Sequence, residues 1–144
     1  MSLSINERFS LALHNTARAW RLAVDRRLKD LGLGQASWMA IATVAKSQPL
    51  AQTELAQLLG VEDPTMVAMI DRLVKAGYLQ RTPSDKDRRV KLVTLTASGE
   101  DIYARVKKEA DAFRRELLGD VDPAMLATVT SFLENLQTAV EFQL

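Results

Sequence analysis

The sequence predicts a mainly helical chain carrying one small β-hairpin. Three observations predict it. Apolar residues recur at steps of three and four over several long stretches. A period of two appears only at 78–82 and 91–95. Glycine and proline punctuate the chain at Gly32-Leu33-Gly34, at Pro49, at Pro83 and over 119–123, and no repeat or low-complexity segment interrupts it.

The elements follow in order. Over 5–31, Phe9, Leu13, Ala17, Trp20, Val24, Leu28 and Leu31 form one stripe, which on a helix rising 1.5 Å per residue runs about 40 Å. Gly32 stops it. A shorter helix over 35–47 contains Trp38, Ile41, Val44 and Ala45, and Pro49 ends it. Residues 52–59 form a short helix stopped by Gly60. Asp63-Pro64 then opens a helix, with Asp63 as N-cap and Pro64 in the first helical position, and Gly77 closes it. Two strands, 78–82 and 91–95, are joined by 83–90. Thr96 caps a helix bearing Ile102, Val106, Ala110, Phe113 and Leu117, ended by Gly119. Asp122-Pro123 repeats the cap-then-proline signal before a last helix with Leu126, Val129, Leu133, Leu136 and Val140.

The middle of this order is a helix-turn-helix followed by a two-stranded wing. Residues 35–96 are therefore expected to form a winged helix-turn-helix domain. The terminal stripes are too long for so small a monomer to bury. Residues 1–34 and 97–144 are expected to form a helical dimerisation region against a second copy.

Composition narrows the function. The 144 residues have an ordinary globular balance, 47% hydrophobic and 26% charged, with no cysteine and one histidine, His14. Disulfides, thiolate metal sites, thiol nucleophiles and multi-histidine metal centres are excluded. No stretch approaches a membrane span, and the start Met-Ser-Leu-Ser lacks the regions of a secretory signal, so a soluble, cytoplasmic protein is expected. The net charge of +1 hides an uneven spread: 1–47 carry seven basic and three acidic side chains, 97–144 five and nine.

Two places point to nucleic acid. On a helical wheel of 63–76, Met66, Ile70, Leu73 and Val74 share an apolar arc, with Thr65, Ala68, Arg72 and Lys75 opposite. In a major groove, Thr65 would bond phosphate or a base edge, Ala68 would touch a thymine methyl, and Arg72 would reach guanine or phosphate. The same wheel fits an ordinary amphipathic surface helix. The hairpin is the sharper signal. Arg81, Lys86, Arg88, Arg89 and Lys91 stand against Asp85 and Asp87 within eleven residues. Such a loop offers cations to phosphate, and one arginine to a narrow minor groove. Asp87, two residues before Arg89, is placed to preset its direction. A solvated surface hairpin is the alternative.

The segment Asp87-Arg88-Arg89-Val90-Lys91-Leu92-Val93-Thr94-Leu95-Thr96 resembles the wing of MarR-type transcriptional regulators. So do Glu54-Leu55-Ala56 before Gly60, Asp71-Arg72-Leu73 and Gly77-Tyr78-Leu79. Within the family, Ala17-Arg18-Ala19-Trp20-Arg21, Asp25-Arg26-Arg27-Leu28, Gln35, Trp38 and Pro64 are similar to the SlyA-like branch. The resemblance implies a homodimer on a palindromic double-stranded DNA site. It implies Arg89 in the minor groove with Asp87 as its positioning partner, Arg88 and Lys91 on phosphates, and Thr65, Ala68 and Arg72 on the recognition helix. Ala68 departs from the branch, which carries an arginine there. The resemblance further implies a pocket for a small aromatic carboxylate at Arg18, Arg21 and Trp38. Ala36 and Ala42 replace its threonine and histidine. Arg18 and Arg21 equally suit surface or interface charge.

The function expected is a regulator that occludes polymerase as a repressor, or displaces a competing DNA-bound protein. A helical adaptor using the basic hairpin to bind an acidic partner is the alternative. An enzyme is not expected, since no nucleophile–base pair, metal cluster or glycine-rich phosphate loop is present, and neither is a cofactor. His14 reads as a surface or interface histidine.

Overall fold

The computed structural model describes residues 2–144. Six α-helices and three short strands are arranged as α1 (Ile5–Leu28), α2 (Gln35–Ser47), β1 (Leu50–Ala51), α3 (Gln52–Leu59), α4 (Asp63–Lys75), β2 (Leu79–Pro83), β3 (Lys91–Leu95), α5 (Ala97–Leu118) and α6 (Pro123–Phe142). The chain divides into two compact units, Met1–Asp111 and Ala112–Leu144. The fold is mainly helical with a small β-hairpin wing, as the sequence predicts. Among the described residues, no helix is long and apolar enough to cross a membrane.

In the first unit, α1 starts on a capping box. Ser4 Oγ accepts from the Glu7 amide and Glu7 Oε2 accepts from the Ser4 amide, at 3.2 and 2.7 Å. The long helix expected over 5–31 ends at Leu28 and tightens into a 3₁₀ turn, Lys29–Leu31. Gly32 then takes a φ of 75°, a left-handed conformation that suits glycine. Of the α1 stripe, Val24 and Leu28 are buried, whereas Phe9 and Leu13 lie exposed.

The core forms where α2, α3 and α4 pack together and α2 meets β3. Ile41, Val44, Leu55, Met66, Ile70, Leu79 and Val93 are fully enclosed there. Two readings of α4 are corrected. Its N-cap is Glu62, not Asp63, and no side chain bonds the free amides there; Pro64 falls inside the first turn. Its buried face includes Met69, while Val74 is only half-buried, because the packed arc is turned toward α3.

The sheet has the order β1-β3-β2, all antiparallel. Leu79 pairs with Leu95 and Arg81 with Val93 across the hairpin, and Leu50 pairs with Val93 on the other side of β3. The third strand, β1, escapes the sequence pattern because two residues carry no period. Gln48, just before it, fastens the sheet: its Oε1 accepts from the Leu95 amide at 2.9 Å and its Nε2 donates to Glu100 at 3.2 Å.

The junction of sheet and α5 is close-packed. Thr96 Oγ1 accepts from the Gly99 amide at 3.0 Å and donates to the Gly77 carbonyl at 2.5 Å. Gly99 is buried, and a Cβ there would lie 2.1 Å from the Tyr78 carbonyl oxygen. In the second unit, Asp122 caps α6 by accepting from the Met125 amide at 3.2 Å. No residue of α6 is buried, and Val129, Phe132, Leu133 and Val140 are exposed.

The Gly99 contact generates a stability prediction. Backbone cannot yield as a flexible side chain does, so Gly99→Ala should cost about 3 kcal/mol, the upper end for overpacked sites. Urea denaturation followed by circular dichroism measures it. A midpoint equal to wild type would contradict the close approach.

Candidate nucleic-acid interface

The helix-turn-helix is set by the turn after α3. Gly60 takes a φ of 66°, and the Val61 amide bonds back to the Ala56 carbonyl at 3.0 Å. This turn ends α3 and lets α4 pack against it. Met66, Met69, Ile70 and Leu73 face inward. Thr65, Ala68, Arg72 and Lys75 are all exposed. Their steps of three and four put Thr65, Ala68 and Arg72 on one face, a row of hydroxyl, methyl and guanidinium groups turned to solvent.

The wing tip is closed by its own backbone. The Ser84 amide donates to the Val90 carbonyl at 2.9 Å and the Val90 amide to the Asp87 carbonyl at 3.0 Å. Arg88, Arg89 and Lys91 are exposed on it. Arg89 is held twice through its guanidinium, Nε to Asp87 Oδ1 and Nη2 to Oδ2, both at 3.1 Å, and once through its amide, at 3.0 Å. Its side chain is 91% exposed all the same. A group this exposed gains little stability from its ion pair; what it gains is direction. The Arg89 guanidinium first, and its amide second, hold the Asp87 carboxyl below the usual aspartate range. A cleft of about 220 Å³ lies between the tip end of the wing and the start of α3, lined by Ala51, Gln52, Thr53, Arg89, Val90 and Lys91.

Arg81 does not join the cations of the tip. It sits on β2, where Nε donates to Gln52 Oε1 at 2.5 Å and Nη2 donates to Asp71 Oδ1 at 2.6 Å. Counting charges along the hairpin could not separate it from the others. Its place within a strand, ten residues from Asp71, was the available signal.

The residues matched to an aromatic-acid pocket are only partly brought together. Arg18 and Arg21 line one cavity of about 440 Å³ with His14, Ala17, Leu22 and Gln35. Arg21 and Gln35 also border a second cavity of about 370 Å³, otherwise lined by Ala36, Met39, Leu59, Val61 and Met69. Trp38 lines neither; its indole N–H donates to Asp25 Oδ1 at 3.3 Å and ties α2 to α1. His14, which sequence reasoning set aside, lies at the first cavity because it stands one turn before Arg18. Among the described residues, no cluster of three or more acidic or histidine side chains is placed to hold a metal ion.

Residues 33–91 match the model of the MarR family. The transcriptional regulator PA3341 is 34% identical, with a TM-score of 0.86 over 92% of this chain and 98% of its own. A MarR transcriptional regulator from Methanosarcina mazei Go1 is 22% identical with a TM-score of 0.84, over 96% and 99% of the two chains. Staphylococcus aureus MarR, in complex with salicylate and kanamycin, is 16% identical and shares the fold with a TM-score of 0.87 over 97% and 95%. The winged helix-turn-helix, the matched segment and an identity that extends along nearly the whole chain lead to one conclusion: this chain belongs to the MarR family of DNA-binding transcriptional regulators.

Proposed function

We propose that the protein acts as a homodimer on palindromic promoter sites, in the manner of the SlyA-like branch. One observation carries this reading: Thr65, Ala68 and Arg72 share an exposed face of α4, and the same unit carries a wing whose Arg89 is aimed by Asp87. In the proposed complex α4 enters the major groove and Arg89 the minor groove, while Arg88 and Lys91 neutralise phosphates. Residues 1–34 and 97–144 supply the dimer contacts. Two facts support that assignment, each taken on its own: the exposed Ile5, Phe9 and Leu13 of α1, and the exposed apolar row of α6. A two-fold dimer presents two recognition helices to two half-sites. Bound over a promoter, it would act by occluding polymerase or by displacing a competing DNA-bound protein.

Selection from a random DNA pool would supply the operator. Against that duplex, Arg89→Ala should weaken binding by about 1–3 kcal/mol per half-site at matched salt, because a charge-assisted contact is lost. Folding should not change, since the residue is exposed. Equal affinities would exclude Arg89 from the interface.

A small aromatic carboxylate is the proposed releasing ligand. Arg21 borders both cavities, so a carboxylate held by Arg18 and Arg21 could leave its ring among Met39, Leu59, Val61 and Met69. The salicylate bound to Staphylococcus aureus MarR, a protein of the same fold, supports the ligand class. The ring would press on the turn before α4 and on the back of α4 itself, and so favour a dimer with the wrong half-site spacing. Ala36 offers no hydrogen bond, so affinity should be weak, about millimolar. Titration of salicylate against the preformed complex should release DNA, and Arg21→Ala should abolish the effect. A complex indifferent to the acid would remove this input.

The Asp87–Arg89 pair has its own pH signature. The folded pKa of Asp87 is lowered, so its contribution to wing order is complete above the unfolded value. That contribution disappears as pH falls through the folded value. A carbon NMR titration should place the Asp87 midpoint below that of an ordinary aspartate, and Arg89→Ala should raise it part of the way back, since the residue 89 amide still donates to the carboxylate. A midpoint unmoved by the substitution would show that the pair does not persist in solution.

A further inference from the structure

We infer that Arg81 is the positioning residue that fixes the wing relative to the recognition helix, so that the two groove contacts of a half-site are made together. This rests on the DNA-binding reading above. The guanidinium bridges three elements at once. From β2 it reaches Gln52 at the start of α3 and Asp71 in the middle of α4, at 2.5 and 2.6 Å, with a longer 3.5 Å approach to the Val67 carbonyl. The Arg81 side chain is 24% exposed and that of Asp71 is 59% exposed, so the pair is partly shielded from solvent at the arginine end. Bonds near the tip, between Ser84 and Val90, Lys86 and Ser84, and Asp87 and Arg89, are internal to the wing and cannot orient it against a helix. Arg81 pairs with Val93 across the hairpin, so a guanidinium anchored on α4 fixes both strands at mid-length. A planar fork with separate donors on Nε and Nη2 can hold two acceptors in different directions; a lysine ammonium at the same reach has no such fixed geometry.

Asp71 makes the inference sharp in sign. It is an exposed carboxylate on the helix proposed to enter the major groove. If it acted only through its charge, removing it would relieve repulsion with phosphate and tighten binding. If it anchors Arg81, removing it weakens binding.

The experiment measures operator affinity for Arg81→Met and Asp71→Ala, each alone and each combined with Arg89→Ala, with thermal melting to establish folding. Both single variants should bind at least about fivefold more weakly, and the penalty of Arg89→Ala should shrink in either background, because a misplaced wing has no groove contact left to lose. Asp71→Ala binding as tightly as wild type or tighter, or penalties that simply multiply, would overturn the inference. A DNA-free arm separates it from the reading it rests on. The chain has no cysteine, so spin labels at Lys75→Cys and Lys86→Cys report the distance from α4 to the wing tip, with excess unlabelled protein suppressing distances between subunits. The distribution should be narrow in the parent and broad with Arg81→Met. Unchanged width would overturn the positioning role whatever the DNA result, whereas wild type that binds no selected duplex would tell against the DNA-binding reading. Should Arg81→Met fail to fold, Asp71→Ala carries both arms.

Discussion

Strand β3 is hydrogen-bonded on both sides, to β1 through Leu50 and Val93 and to β2 from Leu79–Leu95 out to Pro83–Lys91. Val93 is fully buried and Leu95 nearly so. The wing takes its position from this strand, which also packs against α2 and α3. The period of two puts Val93 and Leu95 on the buried face of β3, and Lys91, on the same face, is exposed because it stands at the outer end of the strand. That same register sets where the tip begins, and so where Asp87 and Arg89 stand. Gln48 covers the Leu95 amide, which lies at the base of the hairpin next to the turn into α5. Leaving such a donor unpaired in a half-buried site would cost about 1–3 kcal/mol. The glutamine thus protects the strand that carries the wing.

Much of this was legible in the sequence, for reasons that differ by element. Helices α2 and α3 begin and end where the residues indicated, because Gly34, Pro49 and Gly60 act locally on the backbone. Strand β3 was equally clear, since Val93 and Leu95 stand two apart with Thr94 between them and Thr96 after. What could not be read were contacts between residues far apart in the chain. Gln48 and Leu95 are 47 positions apart, Gln52 and Arg81 are 29 apart, and Asp25 and Trp38 are 13 apart. Each involves a polar side chain whose local pattern is that of any surface residue. Trp38 shows the consequence. Matched by resemblance to a ligand pocket, it spends its indole N–H on Asp25 and lines neither cavity beside Arg18 and Arg21.

The wing shows how an exposed charge can be made useful without being buried. An arginine free in solvent surrenders much rotamer freedom on entering a groove. Arg89 has surrendered part of it already, through two guanidinium bonds and an amide bond to one carboxylate. Asp87 costs the wing a negative charge close to where phosphates would lie. In the proposed complex that loss is offset by direction, and by the cations at Lys86, Arg88 and Lys91, which leave the tip net positive.

The recognition helix raises a different question, because its exposed face is poor in groups that read bases. Thr65 offers one hydroxyl and Ala68 a methyl, while Val67 adds a further exposed apolar side chain. Arg72 sits in the last turn of α4, away from the end that reaches deepest into a groove. A guanidinium at position 68 would distinguish guanine by bonding O6 and N7 together; a methyl group distinguishes little beyond the thymine methyl. In the proposed complex the selectivity lost there has to come from elsewhere in the half-site. The minor-groove arm is the candidate, since groove width varies with sequence even where no base is touched. A wing that reads width must meet the groove at a fixed distance from the helix, or the width carries no information. In that complex, a chain with Ala68 on α4 would therefore depend more heavily on the geometry that β3 and Arg81 impose than one with an arginine in that place.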